Sequence, residues 1–579
     1  MKKFLSRVRA AKWSQYAGII LMIFFPIILV FITELNQQGD FSIAQQLITK
    51  TPSILLFDIL FVSLCFYFIT LLVKKTAISA TITGIVFYIM SCVEFYRFRA
   101  SGAHFTIGDF SLFTNAKDVA KFANIKIFPM QILTISVLTL YLLAMYLFRY
   151  RVNWKWRHII PSCSSIIVSL MVFFMVPSVS NTLFEAFSVS HSGANNNFIQ
   201  QEKFENNGMI AFLIENITNT ISTINIKKPE NYSKQTIQTL AVPNKKTIQP
   251  KLKPNVIIVM SESYADFRKF KQLQIPDKYY QNFDKMAQEG IKSTAIVPTF
   301  GGYTVKTEFE LLFGLPIKSL NGTQAPQHLI QDKQQVTIAS DFQNQGYTTT
   351  YMHPYTSEFY DRGEVFQRYG FDNLYFEDDF EPTKFRGYID DGVAFDRIIQ
   401  QINEDENPSF IHITTMQNHM PYDSETQTQM DYYLDGIQNT DLRLGKFIED
   451  LKQLSEPTIL LFVGDHFPFF TGEDNVYEQL NINSQNCLDL YKQPYVIWAN
   501  YDADFSSVPT QEVSVFYLPR ILQDIIHLPN TEIDQTIWEQ MKITPVYSTE
   551  FQLEQRNEIL DALTYDLILG DHYADNINQ

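Results

Sequence analysis

NVIIVMSES, residues 255–263, is an apolar run that stops abruptly at a hydroxyl, a carboxylate and a second hydroxyl. The same arrangement recurs three times downstream. Residues 347–352 lead into His353, residues 410–416 into Asn418 and His419, and residues 458–463 into Gly464, Asp465 and His466. Short apolar runs alternating with amphipathic stretches are the pattern of an α/β domain built on a mostly parallel sheet. Such sheets bind ligands beyond the carboxyl ends of their strands, so Glu262, His353, His419, Asp465 and His466 are expected to meet in one crevice. Any one of them alone reads as an ordinary loop residue.

A fifth feature joins these four endings. In FGGYTVKTEFELLFG, residues 300–314, two glycines deliver Thr304 to the first turn of a helix. Glycine lets the backbone bend sharply, and the free amides of a helix start attract anions, so a phosphate fits beside the hydroxyl of Thr304, the expected nucleophile. Gly-Gly before Thr is also an ordinary helix cap, and the turn gains meaning only from its neighbours. Thr307, one helical turn on, is the close substitute.

Ligand type indicates the chemistry. Glu262 and Asp465 are hard carboxylates, His466 is an imidazole and Thr304 offers a hydroxyl; a mixed N/O set without thiolate suits Mn²⁺, with Mg²⁺ or Zn²⁺ as alternatives. Such an ion lowers the pKa of the alcohol and polarises a phosphoryl or sulfuryl oxygen. His353 and Arg362 bracket HPYTSEFYDR and are read as an anion grip, arginine forking onto phosphate oxygens. The ordinary reading of Arg362 is a surface ion pair with Asp361 or Glu364. His419 is the expected acid for the leaving oxygen.

The rest of the chain divides by charge. Residues 1–180 hold 17 Lys and Arg against 6 Asp and Glu, whereas residues 181–579 hold 29 against 55. That acidic majority excludes a nucleic-acid binder. Five apolar runs, at 16–35, 53–73, 77–96, 128–148 and 158–176, have the length of bilayer spans. Lys2, Lys3, Arg7, Arg9 and Lys12, then Lys74 and Lys75, then Arg149, Arg151, Lys155 and Arg157 fall on one side if the N-terminus is cytoplasmic, which puts everything after residue 176 outside the cell. The third connection is discordant, with Arg97, Arg99, Lys117, Lys121 and Lys126 on the outer side. Asp58 and Glu94 are expected at a solvated outer interface. Cys65, Cys92 and Cys163 lie in apolar runs and Cys487 stands alone, so neither a disulfide framework nor a Cys-rich zinc site is expected. The expected organisation is a five-helix membrane domain at 1–176, a linker with a short helix in MIAFLIENI at 177–253, and an extracellular catalytic domain at 254–579.

Taken together, these motifs resemble the lipoteichoic acid synthase family, membrane-anchored phosphoglycerol transferases of Gram-positive bacteria within the sulfatase and alkaline phosphatase superfamily. NVIIVMSES resembles the first metal-ligand strand, GGYTVKTEFE the nucleophile turn, VGDHFP the last metal motif and PYVIWAN a structural strand that follows it. The resemblance implies metal ligation by Glu262, Thr304, Asp465 and His466, nucleophilic attack by Thr304, and a glycerophosphate grip at His353, Arg362 and His419. Two positions depart from the family pattern: Tyr360 stands for a tryptophan and Tyr355 for an acid.

The implied reaction is a two-step transfer. Thr304 takes glycerol phosphate from phosphatidylglycerol, diacylglycerol leaves, and the group passes to a growing lipoteichoic acid chain on a glycolipid anchor. Transfer onto a wall polysaccharide is the alternative acceptor. A sulfate or phosphate ester hydrolase and a lipid-binding regulatory relative are the rivals; the Cys/Ser-x-Pro-x-Arg signature of common sulfatases is absent at Thr304.

Overall fold

The computed structural model describes residues 12–38, 42–106, 109, 127–148, 150, 154–191, 196–223, 226–242, 252–323, 325–330, 335–471, 475–551 and 555–574. They fall into a helical unit that ends by residue 225 and a sheet unit made of Asn196 and the residues from Ile226 onward.

In the helical unit the five apolar runs form α1 (Lys12–Gln38), α2 (Pro52–Val73), α3 (Thr76–Ser101), α4 (Pro129–Leu147) and α5 (Trp156–Met175). By length and composition, all five can cross a membrane. The stretch expected as a linker with one short helix carries α6 (Pro177–Phe187), α7 (Asn197–Thr223), which is broken at Gly208, and α8 (Lys234–Leu240). Within α7 the apolar residues Met209, Ile210, Ala211, Phe212 and Ile214 are buried against Phe25, Leu29, Phe57 and Val62 of α1 and α2. Burial of that face, worth about 1.5–3 kcal/mol for each large side chain, makes α7 part of a core.

Asp58 and Glu94 are buried, contrary to the solvated positions expected for them. The reason for Glu94 is local: its carboxylate accepts from the Phe105 amide at 2.7 Å and pairs with His104, whose ring stacks on Phe204 of α7. Glu34 of α1 likewise accepts from the Met209 amide at 2.9 Å. Arg97 is matched by Asp109 at 3.2 Å, while Lys117, Lys121 and Lys126 lie outside the described residues. Cys65, Cys92, Cys163 and Cys487 are all free.

The sheet unit is built on β1 (Asn255–Ser261), β2 (Ile291–Ile296), β3 (Thr348–Met352), β4 (Asn373–Tyr375), β7 (Ser409–Thr414), β8 (Thr458–Gly464), β9 (Lys492–Ala499) and β10 (Val513–Ser514), with β5 (Lys384–Phe385) and β6 (Tyr388–Ile389) forming a separate hairpin. The eight strands lie in the order β10-β2-β9-β8-β1-β7-β3-β4, and only β9 runs antiparallel to its neighbours. The mostly parallel sheet expected from the apolar runs is therefore present. Strands β1, β7 and β8 are buried along their whole length, which is why they read as continuous apolar runs without alternation.

Strand register positions the site. Met260 pairs with Thr414, Ser261 with Gly464 and Met352 with Ile413, so β1, β3, β7 and β8 end side by side at the same edge. The residues that follow them emerge together.

Candidate active site

Helix α9 (Thr304–Phe313) starts at this edge. Its entry is forced by Gly302, at φ 149°, and Tyr303, a left-handed residue at φ 59°. The Thr299 hydroxyl donates to the Gly302 carbonyl at 2.7 Å, and the Gly301 amide donates to the Phe467 carbonyl at 3.0 Å, which ties the turn to the segment after β8. Thr304 thereby becomes buried with its Oγ1 donating to Glu262 Oε2 at 3.1 Å and 3.5 Å from His466 Nε2. Thr307, the alternative nucleophile, gives its hydroxyl to the Asp465 carbonyl at 2.8 Å and is engaged in holding the loop.

Glu262, Asp465 and His466 are all buried, and one ligand atom of each lies within 4.8 Å of the others. Asp465 Oδ1 accepts from the amides of Ser263, at 2.7 Å, and His466, at 2.8 Å. Its Oδ2, 3.2 Å from His466 Nε2, has no hydrogen bond of its own. The His466 Nδ1 pairs with the Phe467 carbonyl at 2.9 Å, which puts the proton on Nδ1 and leaves the Nε2 lone pair towards the carboxylates. Burial pushes Asp465 up to about 7; burial and then the Asp465 charge raise Glu262, while burial lowers His466. Two buried carboxylates with one lone-pair imidazole and an orphaned oxygen have the donor chemistry of a divalent cation site.

His353, Arg362 and His419, the residues expected to grip the anion, lie on neighbouring elements. His353, after β3, donates Nδ1–H to the Thr414 carbonyl at 2.8 Å and keeps a buried Nε2 without a partner. Its pKa is driven well below the ordinary value by burial and then by the Arg362 charge. Arg362, first residue of α10 (Arg362–Arg368), is buried and does not form the surface pair with Asp361 or Glu364. Those two acids face His328 and Arg368 instead. The partner of Arg362 is Glu308, at 3.2 Å. Glu308, four residues after Thr304, also accepts from Tyr351 at 2.8 Å and Thr414 at 2.5 Å, so it joins α9, β3, β7 and α10.

His419 pairs its Nδ1 with the Met420 carbonyl at 2.7 Å, beside the Tyr388 hydroxyl at 3.5 Å. Burial lowers its pKa while the Glu262 charge opposes that shift, and His466 and Arg362 also act on it electrostatically. All seven residues picked from the sequence thus share one crevice. Tyr355 and Tyr360 sit with Phe359, Tyr388 and Met416 in an aromatic cluster on its wall, Arg362 lying 5.2 Å from the Tyr360 ring centre.

Sequence reasoning missed Glu308 and Tyr388. For Glu308 a signal existed: it lies one helical turn beyond Thr304, with a buried apolar helix around it. Nothing local marks Tyr388.

The family model described as Sulfatase matches residues 254–522. A Rhizobium meliloti (strain 1021) protein named for cyclic beta-1,2-glucan modification is 26% identical over 288 residues, 46% of this chain and 44% of that protein. The lipoteichoic acid synthase of Staphylococcus saprophyticus is 26% identical over 284 residues, 44% of this chain and 42% of the synthase. The match thus spans less than half the length of these relatives. Among solved structures, the Streptococcus pyogenes phosphoglycerol transferase GacH in complex with sn-glycerol-1-phosphate is 21% identical, with a TM-score of 0.49, covering 60% of this chain and 96% of that one. In this protein five apolar helices are followed by a unit built on a mostly parallel sheet, and residues 254–522 of that unit match the Sulfatase family model.

Proposed function

We propose that the chain is a phosphoglycerol transferase that moves glycerol phosphate from phosphatidylglycerol, through a covalent adduct on Thr304, to the hydroxyl of a growing polyglycerol phosphate chain. The observation that carries this reading is the Thr304 hydroxyl, buried at a helix start and hydrogen-bonded to Glu262 within the Glu262, Asp465 and His466 cluster.

In the first half-reaction the Thr304 Oγ–P bond forms and the bond from phosphorus to the diacylglycerol oxygen breaks. The threonine proton passes along its existing hydrogen bond to Glu262, and His419 supplies a proton to the departing oxygen. In the second, the acceptor hydroxyl attacks phosphorus, His419 takes its proton and Thr304 regains the one held by Glu262. His353 Nε2 and Arg362 hold the phosphoryl oxygens and keep them oriented. Glu262, Asp465, His466 and Thr304 would hold the divalent cation, Mn²⁺ by preference, whose charge lowers the pKa of the alcohol and neutralises the phosphoryl group.

The five spans fit a donor confined to a membrane. With the N-terminus cytoplasmic, as the Lys and Arg groups favour, the sheet unit lies outside the cell, and tethering raises its effective concentration at the lipid. A second reading, transfer of glycerol phosphate onto a glycan, draws support from the relative named for glucan modification. The decisive experiment gives the full chain phosphatidylglycerol vesicles with Mn²⁺ and follows diacylglycerol release and the fate of labelled glycerol phosphate. Free glycerophosphate as the sole product indicates a hydrolase; no diacylglycerol release at all overturns the transferase reading.

A further inference from the structure

One end of the helical unit gathers a terminus from each of its five apolar helices. Trp13, near the start of α1, has its ring 5.5 Å from that of Phe148, which follows α4. Thr76, the first residue of α3, donates its hydroxyl to the Tyr150 carbonyl at 2.8 Å. Lys74, which follows α2, sets its ammonium 4.0 Å from the ring centre of Trp156, the first residue of α5. Trp154 stands edge-on to Tyr67 of α2, with ring centres 5.9 Å apart. Trp13, Trp154 and Trp156 are the only tryptophans before residue 226, and all three are exposed, by 57%, 44% and 57%. Amphipathic rings gathered at one end of an apolar bundle and left outside the protein core mark a membrane–water interface.

The charge at this end has one sign. Lys74, Lys75, Lys155 and Arg157 lie there, and residues 1–33, 59–93 and 119–184, the segments that build it, contain no Asp or Glu. Among the described residues, the ion pairs of the helical unit use Arg97, His104 and Lys203 instead. Lys74 is set apart from the other cations by how it is held. Its amide closes α2 on the Thr70 carbonyl at 2.8 Å with the backbone left-handed, φ 58°, a cap that glycine fills at less cost. The ammonium then rests on the Trp156 ring, which fixes the cation while leaving it hydrogen-bond donors for an oxyanion. Apolar surface lies alongside: Leu71 and Ile159 are buried in the seam between α2 and α5, whereas Leu72 and Ile160, the next residues in the chain, are exposed. A fixed cation above an exposed apolar flank is complementary to a phospholipid, which carries an anionic phosphodiester above hydrocarbon.

We propose that Lys74, seated on Trp156, binds the headgroup phosphate of an anionic phospholipid in the leaflet at this end of the helical unit, with the acyl chains against Leu72 and Ile160. The site is separate from the Thr304 crevice and does not depend on the transferase reading.

The test places the full chain in phosphatidylcholine vesicles and follows, by electron spin resonance, the preference of the protein boundary for spin-labelled phosphatidylserine over spin-labelled phosphatidylcholine. Phosphatidylserine carries the anionic phosphodiester but is not the donor proposed for Thr304. The wild-type chain should prefer it, and Lys74→Gln should lower its relative association constant about fivefold, as expected for one lysine beside an anionic lipid surface, with Lys74→Arg retaining the preference. Trp156→Leu should weaken it too, because the ammonium loses its seat. Lys155→Gln removes the same charge from the same end without a ring contact and should leave most of the preference in place. Equal losses in Lys74→Gln and Lys155→Gln would reveal a diffuse field and not a site, and would overturn the proposal. So would the absence of any preference in the wild type, or displacement of the labelled lipid by inorganic phosphate, which would make the site one for free anions.

Discussion

Arg362 and Glu308 form a fully enclosed ion pair, 3.2 Å apart, in which the acid also takes hydrogen bonds from Tyr351 and Thr414. A buried pair of this kind contributes little net stability, but breaking it strands a charge. Glu308→Ala is therefore expected to destabilise the protein by about 3–5 kcal/mol, seen as a lower denaturation midpoint. The double substitution Glu308→Leu with Arg362→Met should restore most of that stability while diacylglycerol release stays lost. Recovery of release in the double variant would remove Arg362 from the phosphate grip.

Thr304 and Thr307 lie on one face of α9 but have different partners. Thr304→Ala should reduce diacylglycerol release by about 10³-fold or more, as loss of a nucleophile does. Thr307→Val removes the bond to the Asp465 carbonyl, at a cost of about 1–3 kcal/mol in stability, and should leave release measurable. Mass spectrometry of trapped protein should find glycerol phosphate on the peptide containing Thr304. The adduct on Thr307 would reverse the assignment.

Removal of divalent ions by a chelator is expected to abolish turnover and lower the thermal midpoint, and Mn²⁺ should restore both. An ion at one hundred times its Kd adds about 2.7 kcal/mol of stability. Asp465→Asn and His466→Ala should lose the midpoint rise on adding Mn²⁺, because they remove two of the three clustered ligands. A rise that persists in both variants places the cation elsewhere.

Glu310, buried on α9 behind the crevice, supplies a pH test separate from the metal ligands. Burial pushes its carboxyl from the ordinary 4.5 up to about 8, against the pull of the Ile317 amide and Lys306. The folded state holds this proton more tightly than the unfolded chain does. Its contribution is intact below about pH 4.5 and is lost as pH rises towards 8. Glu310→Gln should flatten the fall of the thermal midpoint between those values; superimposable wild-type and variant curves would show the group to be ionised throughout.

Much of the fold and of the site could be read from strand ends. Runs such as residues 256–260 are apolar because β1 is covered on both faces, and the polar residue that follows each run marks where cover ends. That rule located Glu262, His353, His419, Asp465 and His466. It could not locate Glu308, which follows no strand: the turn-spacing from Thr304 marks its face of α9, but its partners come from β3, β7 and α10, distant in sequence. Asp58 and Glu94 were misjudged for the same reason: their exposure depends on α7 and the residues after α3, which are distant in sequence. The alternative reading of Arg362, a surface pair with the neighbouring acids Asp361 and Glu364, fails because the left-handed residues Tyr360 and Asp361 reverse the chain and turn it inward.

The entry to α9 has one further implication. At Gly302 a Cβ would meet no atom within 4 Å, yet the backbone sits at φ 149°. The constraint there is one of handedness and not of volume: the space accepts a side chain, but the chain path is the mirror image of one that an L-residue follows comfortably. Any other encoded amino acid at position 302 is thus strained by handedness, independently of its size or polarity.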